Sequence, residues 1–189
     1  MDKHKIKKSK IAGIGFHVPE HVVTNQDLST FMDTSDEWIQ QRTGIKERRY
    51  SGPEDTPSAM AEKASRDALH QAGVDVSDID MIIVATLSPD HDFPGTACFL
   101  QEKLGLPGVA CLDIRNQCTG LLYSLSTADA FIRCGQAKHV LVVGTEVHST
   151  GLDFSDAGRD VTVIFGDGAA ALVVGPTDSP ERGLLGHVL

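Results

Sequence analysis

One short stretch holds the residue best placed for chemistry: Val109-Ala110-Cys111-Leu112-Asp113-Ile114-Arg115-Asn116-Gln117-Cys118-Thr119-Gly120-Leu121-Leu122. It reads as a strand, a sharp turn carrying Cys118, and a helix. A thiol at such a junction faces the first N–H groups of the helix, which have no partner within it and whose partial positive charge favours thiolate over thiol. Thiolate is the nucleophilic form, so the setting suits attack on an electrophile. The other cysteines, Cys98, Cys111 and Cys134, lack that setting and read as small core residues. No C-x-x-C pair and no His–Cys cluster of zinc spacing occurs, so neither a metal nor a redox motif is signalled.

A second group lies upstream. Thr34 or Ser35 caps a helix over Asp36 to about Arg42, with acidic residues in its first turn and Gly44 after its end. Trp38 and Arg42 are four residues apart and share one face of it. The pair is either a surface cation–π contact or half of a binding platform. The stretch Arg42-Thr43-Gly44-Ile45-Lys46-Glu47-Arg48-Arg49 is basic in an otherwise acidic chain. It is either a solvated strand or a docking point for phosphate or an acidic partner.

The elements that must position these residues follow from punctuation and apolar pattern. Ile11 to Val18 is a strand closed by Pro19, and a short helix from about Gln26 to Phe31 is capped by Thr24 or Asn25. Thr56-Pro57 opens a helix that runs to about Ala72 and ends at Gly73. Asp80–Leu87 is a near-continuous apolar run, as in a strand buried on both faces. A helix over about Thr96–Leu104 ends at Gly105. After Cys118 comes a helix that is apolar on every side, with only Asp129 charged before Arg133, which calls for protein on all sides and suggests a missing neighbour. Strands follow at 139–145 and 169–175 without a clear helix between them, so the sheet should be mixed. The fold class is α/β, a mixed five-stranded sheet with helices on both faces. Residues 1–10 read as a basic disordered tail and 11–189 as the domain.

The chain has 189 residues, 41% hydrophobic and 23% charged, enough for one proper core. Its net charge of −9 argues against nucleic acid and anionic lipid as partners. No apolar run approaches the roughly 20 residues that cross a bilayer. The basic N-terminus is followed by no long apolar segment and does not read as a secretory signal. A reduced, cytoplasmic protein is expected.

Several segments in order resemble one family, the β-ketoacyl-acyl-carrier-protein synthase III condensing enzymes of the thiolase-like fold. They are Thr34-Ser35-Asp36-Glu37-Trp38-Ile39, Arg42-Thr43-Gly44-Ile45, Cys118-Thr119-Gly120, Leu141-Val142-Val143-Gly144 and Ile164-Phe165-Gly166-Asp167-Gly168-Ala169. The resemblance implies an acyltransferase of fatty-acid biosynthesis in which Cys118 takes the acyl group of an acyl-CoA. Malonyl-acyl carrier protein then undergoes decarboxylative condensation with it to give a 3-oxoacyl product. Trp38 would stack on the CoA adenine, with Arg42 and Arg159 contacting base and phosphates. Phe93 would reach across a homodimer interface into the partner's acyl pocket, and Phe165 would be the aromatic residue near the cysteine. No metal or prosthetic group is implied.

The family completes its site with a His and an Asn from the second half of its chain, and none of the eight histidines here lies in that motif. Ser124, Thr119 and His148, near the site in sequence, read as structural. The expectation is therefore the N-terminal half of such an enzyme, ending in the apolar run Leu184–Leu189, able to accept an acyl group but not to condense it. The alternatives are a natural half-length protein that binds acyl-CoA or carrier protein without full catalysis, and a related synthase making a quinolone, a hydroxymethylglutaryl thioester or a long-chain β-ketoacid.

Overall fold

The computed structural model describes residues 8–179 and 181–189. Strand β1 (Lys8–His17) is followed by the paired strands β2 (His21–Thr24) and β3 (Glu47–Tyr50), with helices α1 (Asn25–Leu28) and α2 (Asp36–Thr43) between them in sequence. Helix α3 (Pro57–Ala72) leads to β4 (Met81–Ala85), α4 (Thr96–Leu104) to β5 (Ala110–Ile114) and α5 (Gly120–Arg133) to β6 (Val140–Glu146). The one-turn helix α6 (Arg159–Thr162) precedes β7 (Gly168–Thr177).

The main sheet runs β1-β7-β6-β4-β5. Strand β4 is parallel to β5 and β6, whereas β7 is antiparallel to both β6 and β1. The expected mixed, five-stranded sheet is thus present. All five residues of β4 are buried. Ile82 and Val84 join the core shared with α3 and α4, and Met81 and Ile83 join the core shared with α5. That alternation places helices on both faces, and each fully buried isoleucine contributes about 1.5–3 kcal/mol.

Local signals set the helices that buttress the sheet. Thr56 Oγ1 accepts from Ala59 N, Pro57 occupies the first turn of α3, and Gly73 closes it in the left-handed region at φ 62°. Helix α3 lies close on β1: a β-carbon on Gly13 would sit 2.6 Å from Ala72 N, and one on Gly15 would collide with the backbone of Ala64 and Ala68. With Gly13 and Gly15 turned to α3, Ile14 and Phe16 face the other side of the sheet, where they are 51% and 70% exposed. On that side α5 buries Ser124, Ala128, Asp129 and Ile132 but leaves Leu122 and Tyr123 open to solvent.

Two expectations need correction. Lys8, Ser9 and Lys10 are not tail: they pair with Thr177, Pro176 and Gly175, because β7 runs three residues beyond Val174 and supplies backbone partners that need no apolar side chain. The rest of the expected tail, residues 1–7, lies outside the described residues, as does Pro180. Asp129, the one charge of α5 before Arg133, is enclosed by distant residues. It is buried, accepts from Ser9 Oγ, and lies 2.9 Å from His187 Nε2 and 3.6 Å from Arg133 Nε. The basic stretch is not wholly solvated, since Arg48 is buried. Its guanidinium donates to Val23 O at 3.3 Å, Asn25 Oδ1 at 2.8 Å and Val163 O at 3.1 Å, and desolvation lowers its pKa.

Candidate active site

Strand β5 ends at Ile114, and Cys118 follows in a single 3-10 turn, Gln117–Thr119, that runs directly into α5. Gln117 is the only non-glycine residue with positive φ among the described residues, at 46°. A straight-chain side chain in that region is uncommon and costs on the order of 1 kcal/mol or more. The turn is held from within: Asn116 Nδ2 donates to Thr119 Oγ1, which donates to Asn116 O, both at 3.0 Å. No side chain caps the first turn of α5, so the N–H groups beside Cys118 keep their donor capacity. Cys118 is exposed.

Beside it is a cavity of about 280 Å3 lined by Ala85, Gln117, Cys118, Leu121, Gly144, Thr145, Glu146, Gly168, Ala169 and Ala170. Ala85 and Gly144–Glu146 are the carboxyl ends of the parallel strands β4 and β6, the usual place for a ligand in an open α/β sheet. Gly120 brings α5 against β4: a β-carbon there would lie 2.9 Å from Ala85 Cβ. Glu146 accepts from Leu87 N at 2.9 Å and Ser88 Oγ at 2.7 Å, anchoring the start of the loop that carries Phe93.

Asp167 fixes another wall. Its carboxylate accepts from His148 N and Ser51 N at 2.7 Å, from Ser149 N at 2.9 Å and from Ser149 Oγ. Burial alone would raise its pKa, but the hydrogen bonds from Ser149 and Ser51 outweigh it, and the net shift is downward. One buried carboxylate thereby ties the end of β3, the turn after β6 and the start of β7, which supplies Gly168 to the cavity.

The expected pair on α2 is present, with a third member. The guanidinium of Arg42 lies 4.1 Å and that of Arg159 4.6 Å from the Trp38 ring centre, within cation–π range. Arg159 is steadied by Asp33 O at 3.0 Å and Asp160 Oδ1 at 3.2 Å. A separate cavity of about 260 Å3 is lined by Trp38, Arg42, Thr43, Asp160, Val163 and Ile164. Ser35 caps α2 through Trp38 N, and Gly44 closes it in the left-handed region, which fixes where Trp38 and Arg42 point.

Trp38, Arg42 and Arg159 are thus brought together, and Cys118 has its own cavity. Phe93 is 85% exposed. Phe165 stacks on His148 with ring centres 4.8 Å apart and is not among the residues lining the Cys118 cavity. Ser124 is buried and His148 is held by Asp167 and Phe165, in keeping with structural roles. Sequence reasoning passed over Glu146, Gln117 and Arg48. Only Arg48 left a signal: it shares the inward side of β3 with Tyr50 at period two.

A family model described as 3-oxoacyl-[acyl-carrier-protein (ACP)] synthase III matches residues 112–189. The β-ketoacyl-[acyl-carrier-protein] synthase III of Methylococcus capsulatus is 49% identical over 172 residues, 91% of this chain and 53% of that protein. Its namesake in Geobacillus kaustophilus is 50% identical over 179 residues, 95% of this chain and 57% of that protein. Among solved structures, 3-oxoacyl-[acyl-carrier-protein] synthase III from Aquifex aeolicus superposes with a TM-score of 0.87 at 46% identity, covering 90% of this chain and 55% of that one. The priming β-ketosynthase of the R1128 polyketide pathway gives 0.89 at 36% identity, covering 95% and 53%. Sheet order, the cysteine turn and these likenesses define a thiolase-like α/β chain. More narrowly, its likeness is to β-ketoacyl-[acyl-carrier-protein] synthase III. It spans about half the length of the curated relatives it matches.

Proposed function

We propose that this chain supplies the acyl-accepting half of a fatty-acid-initiating condensing enzyme. The observation that carries the reading is the setting of Cys118: exposed, on a strained turn, at an uncapped helix start, beside a cavity at the carboxyl ends of β4 and β6. The Cys118 thiol first ionises, its proton going to solvent. The thiolate attacks the thioester carbonyl of an acyl-CoA, a new C–S bond forms, the bond to CoA sulfur breaks, and the CoA thiolate leaves and takes a proton from solvent. Trp38, Arg42 and Arg159 take the nucleotide end. One guanidinium lifts from the indole to admit the adenine, and its charge then meets phosphate.

Malonyl-acyl carrier protein next loses CO2, and the resulting enolate carbon attacks the acyl carbon and releases the Cys118 thiolate, giving 3-oxoacyl-acyl carrier protein. A preorganised donor for such an oxyanion is worth about 3–4 kcal/mol. We assign the condensation step to the His and Asn that complete the site in the family the chain resembles. The working form is a cytoplasmic homodimer in which Phe93 enters the partner's acyl pocket, and the reaction needs no cofactor beyond the CoA thioester. The exposure of Phe93 supports that arrangement.

Incubation of the chain with a short acyl-CoA, followed by intact-mass and peptide analysis, tests the reading. One acyl group is expected on Cys118, none on Cys118→Ala, and no 3-oxoacyl product when malonyl-acyl carrier protein is added. An adduct on Cys98, Cys111 or Cys134 instead overturns the assignment. CoA binding with no adduct at all favours a non-catalytic acyl-CoA-binding subunit.

A further inference from the structure

We infer that Arg48 is the positioning residue of the Trp38–Arg42–Arg159 platform, locking together the two separate elements that carry it. The inference rests on the proposed role of that platform in holding the nucleotide of CoA. Trp38 and Arg42 lie on α2, whereas Arg159 opens α6, more than a hundred residues later in the chain. A direct tie, in which Arg159 donates to Asp33 O and Asp33 N to Asp156 Oδ1 at 2.6 Å, joins only the exposed loop before α2 to the start of α6, and the buried side of the gap is left to other groups.

Arg48 spans that gap. One end of its guanidinium holds Val163 O at 3.1 Å, immediately after α6 and on the wall of the platform cavity. The same nitrogen holds Asn25 Oδ1 at 2.8 Å, and Asn25 Nδ2 in turn donates to Asp36 Oδ1 at 2.8 Å in the first turn of α2. A third donation, from the other terminal nitrogen to Val23 O, fixes β2 in the same frame. The acceptors that touch Arg48 carry no formal charge, and its Nε has no partner among the described residues. A hydrophobic side chain would fill the space at lower desolvation cost. What the guanidinium alone provides is several fixed donors from one rigid plane to three acceptors on two distant chain segments. Neither Arg48 nor Asn25 lines the platform cavity, so each acts on the ligand only through the elements it holds.

Trp38 is the single tryptophan, so its emission reports the platform directly. The probe is adenosine 3′,5′-bisphosphate, titrated into the chain and into Arg48→Lys and Asn25→Ser. The parent is expected to show saturable quenching, and each variant to bind about tenfold more weakly, as loss of one or two well-placed hydrogen bonds allows. Iodide should quench the parent more than caesium does, because two guanidiniums sit over the ring, and this ratio should fall in both variants. Acylation of Cys118 by an acyl-pantetheine, which lacks the nucleotide, should keep its rate within about twofold.

A purely structural role lowers the melting temperature without moving the iodide ratio or separating nucleotide from pantetheine substrates, and that result overturns the inference. Asn25→Ser leaves the buried charge in place and serves if Arg48→Lys does not fold. Parent binding with both variants unchanged overturns the positioning role alone. No binding by the parent overturns the platform reading, and this inference with it.

Discussion

Asp167→Asn is the substitution from which the structure gives the most definite arithmetic. The amide oxygen can keep the two donations now made to Oδ1, from His148 N and Ser149 N. The amide nitrogen replaces Oδ2, which accepts from Ser51 N at 2.7 Å and from Ser149 Oγ. The serine hydroxyl can rotate and accept instead, but Ser51 N–H cannot. One hydrogen bond to a charged acceptor is lost and a backbone donor is stranded beside another donor, together about 3–5 kcal/mol. For a chain of this size that is a fall in Tm of roughly 6–20 °C. Thermal and urea unfolding followed by circular dichroism measure it. The pH dependence adds a second arm. The Asp167 pKa is depressed in the folded state, so its stabilisation is present above the ordinary carboxylate value and is lost as pH falls through the folded one. The gap between parent and variant should therefore be constant near neutrality and narrow below about pH 4. A loss under about 1 kcal/mol at neutral pH, or a gap that widens in acid, would refute the reasoning.

Gly120→Ala should lower the urea midpoint by the equivalent of about 1–3 kcal/mol, because the new methyl meets Ala85 Cβ at 2.9 Å; alkylation of Cys118 should change rate in the same variant. Maleimide labelling near pH 8 should reach the exposed Cys118 and Cys134 first and Cys111 last. Burial, with Cys98 close by, pushes the Cys111 thiol up to about 11 and leaves it almost wholly protonated; peptide mapping against time gives the order.

The sequence announces what local chemistry decides. Thr56-Pro57 and Gly73 bound α3, Ser35 and Gly44 bound α2, and the unbroken apolar run of β4 reads correctly as a doubly covered strand. The Cys118 turn is equally local, and its strand-to-helix setting was visible. What stayed hidden depends on contacts distant in sequence. Arg48 sits among basic neighbours, and its burial follows only from Val163 and Asn25 closing over it. The partners of Asp129, Ser9 and His187, arrive from opposite ends of the chain. Lys8–Lys10 has no strand-like apolar pattern, because its pairing is set by the length of β7. Phe165 was expected near the cysteine, whereas the residues lining that cavity come from neighbouring positions, Gly168 to Ala170.

The close seating of α3 on β1 has a consequence for how this chain can vary. Where side chains set the gap between helix and sheet, a loss of volume on one surface can be made up by growth on the other. Here the gap is set by backbone against backbone, with Gly13 and Gly15 facing Ala64, Ala68 and Ala72. No compensating pair exists, since any added carbon on either surface drives the two elements apart. That seam is a fixed datum for the sheet, while tolerance to substitution gathers on the solvent side of the same helix.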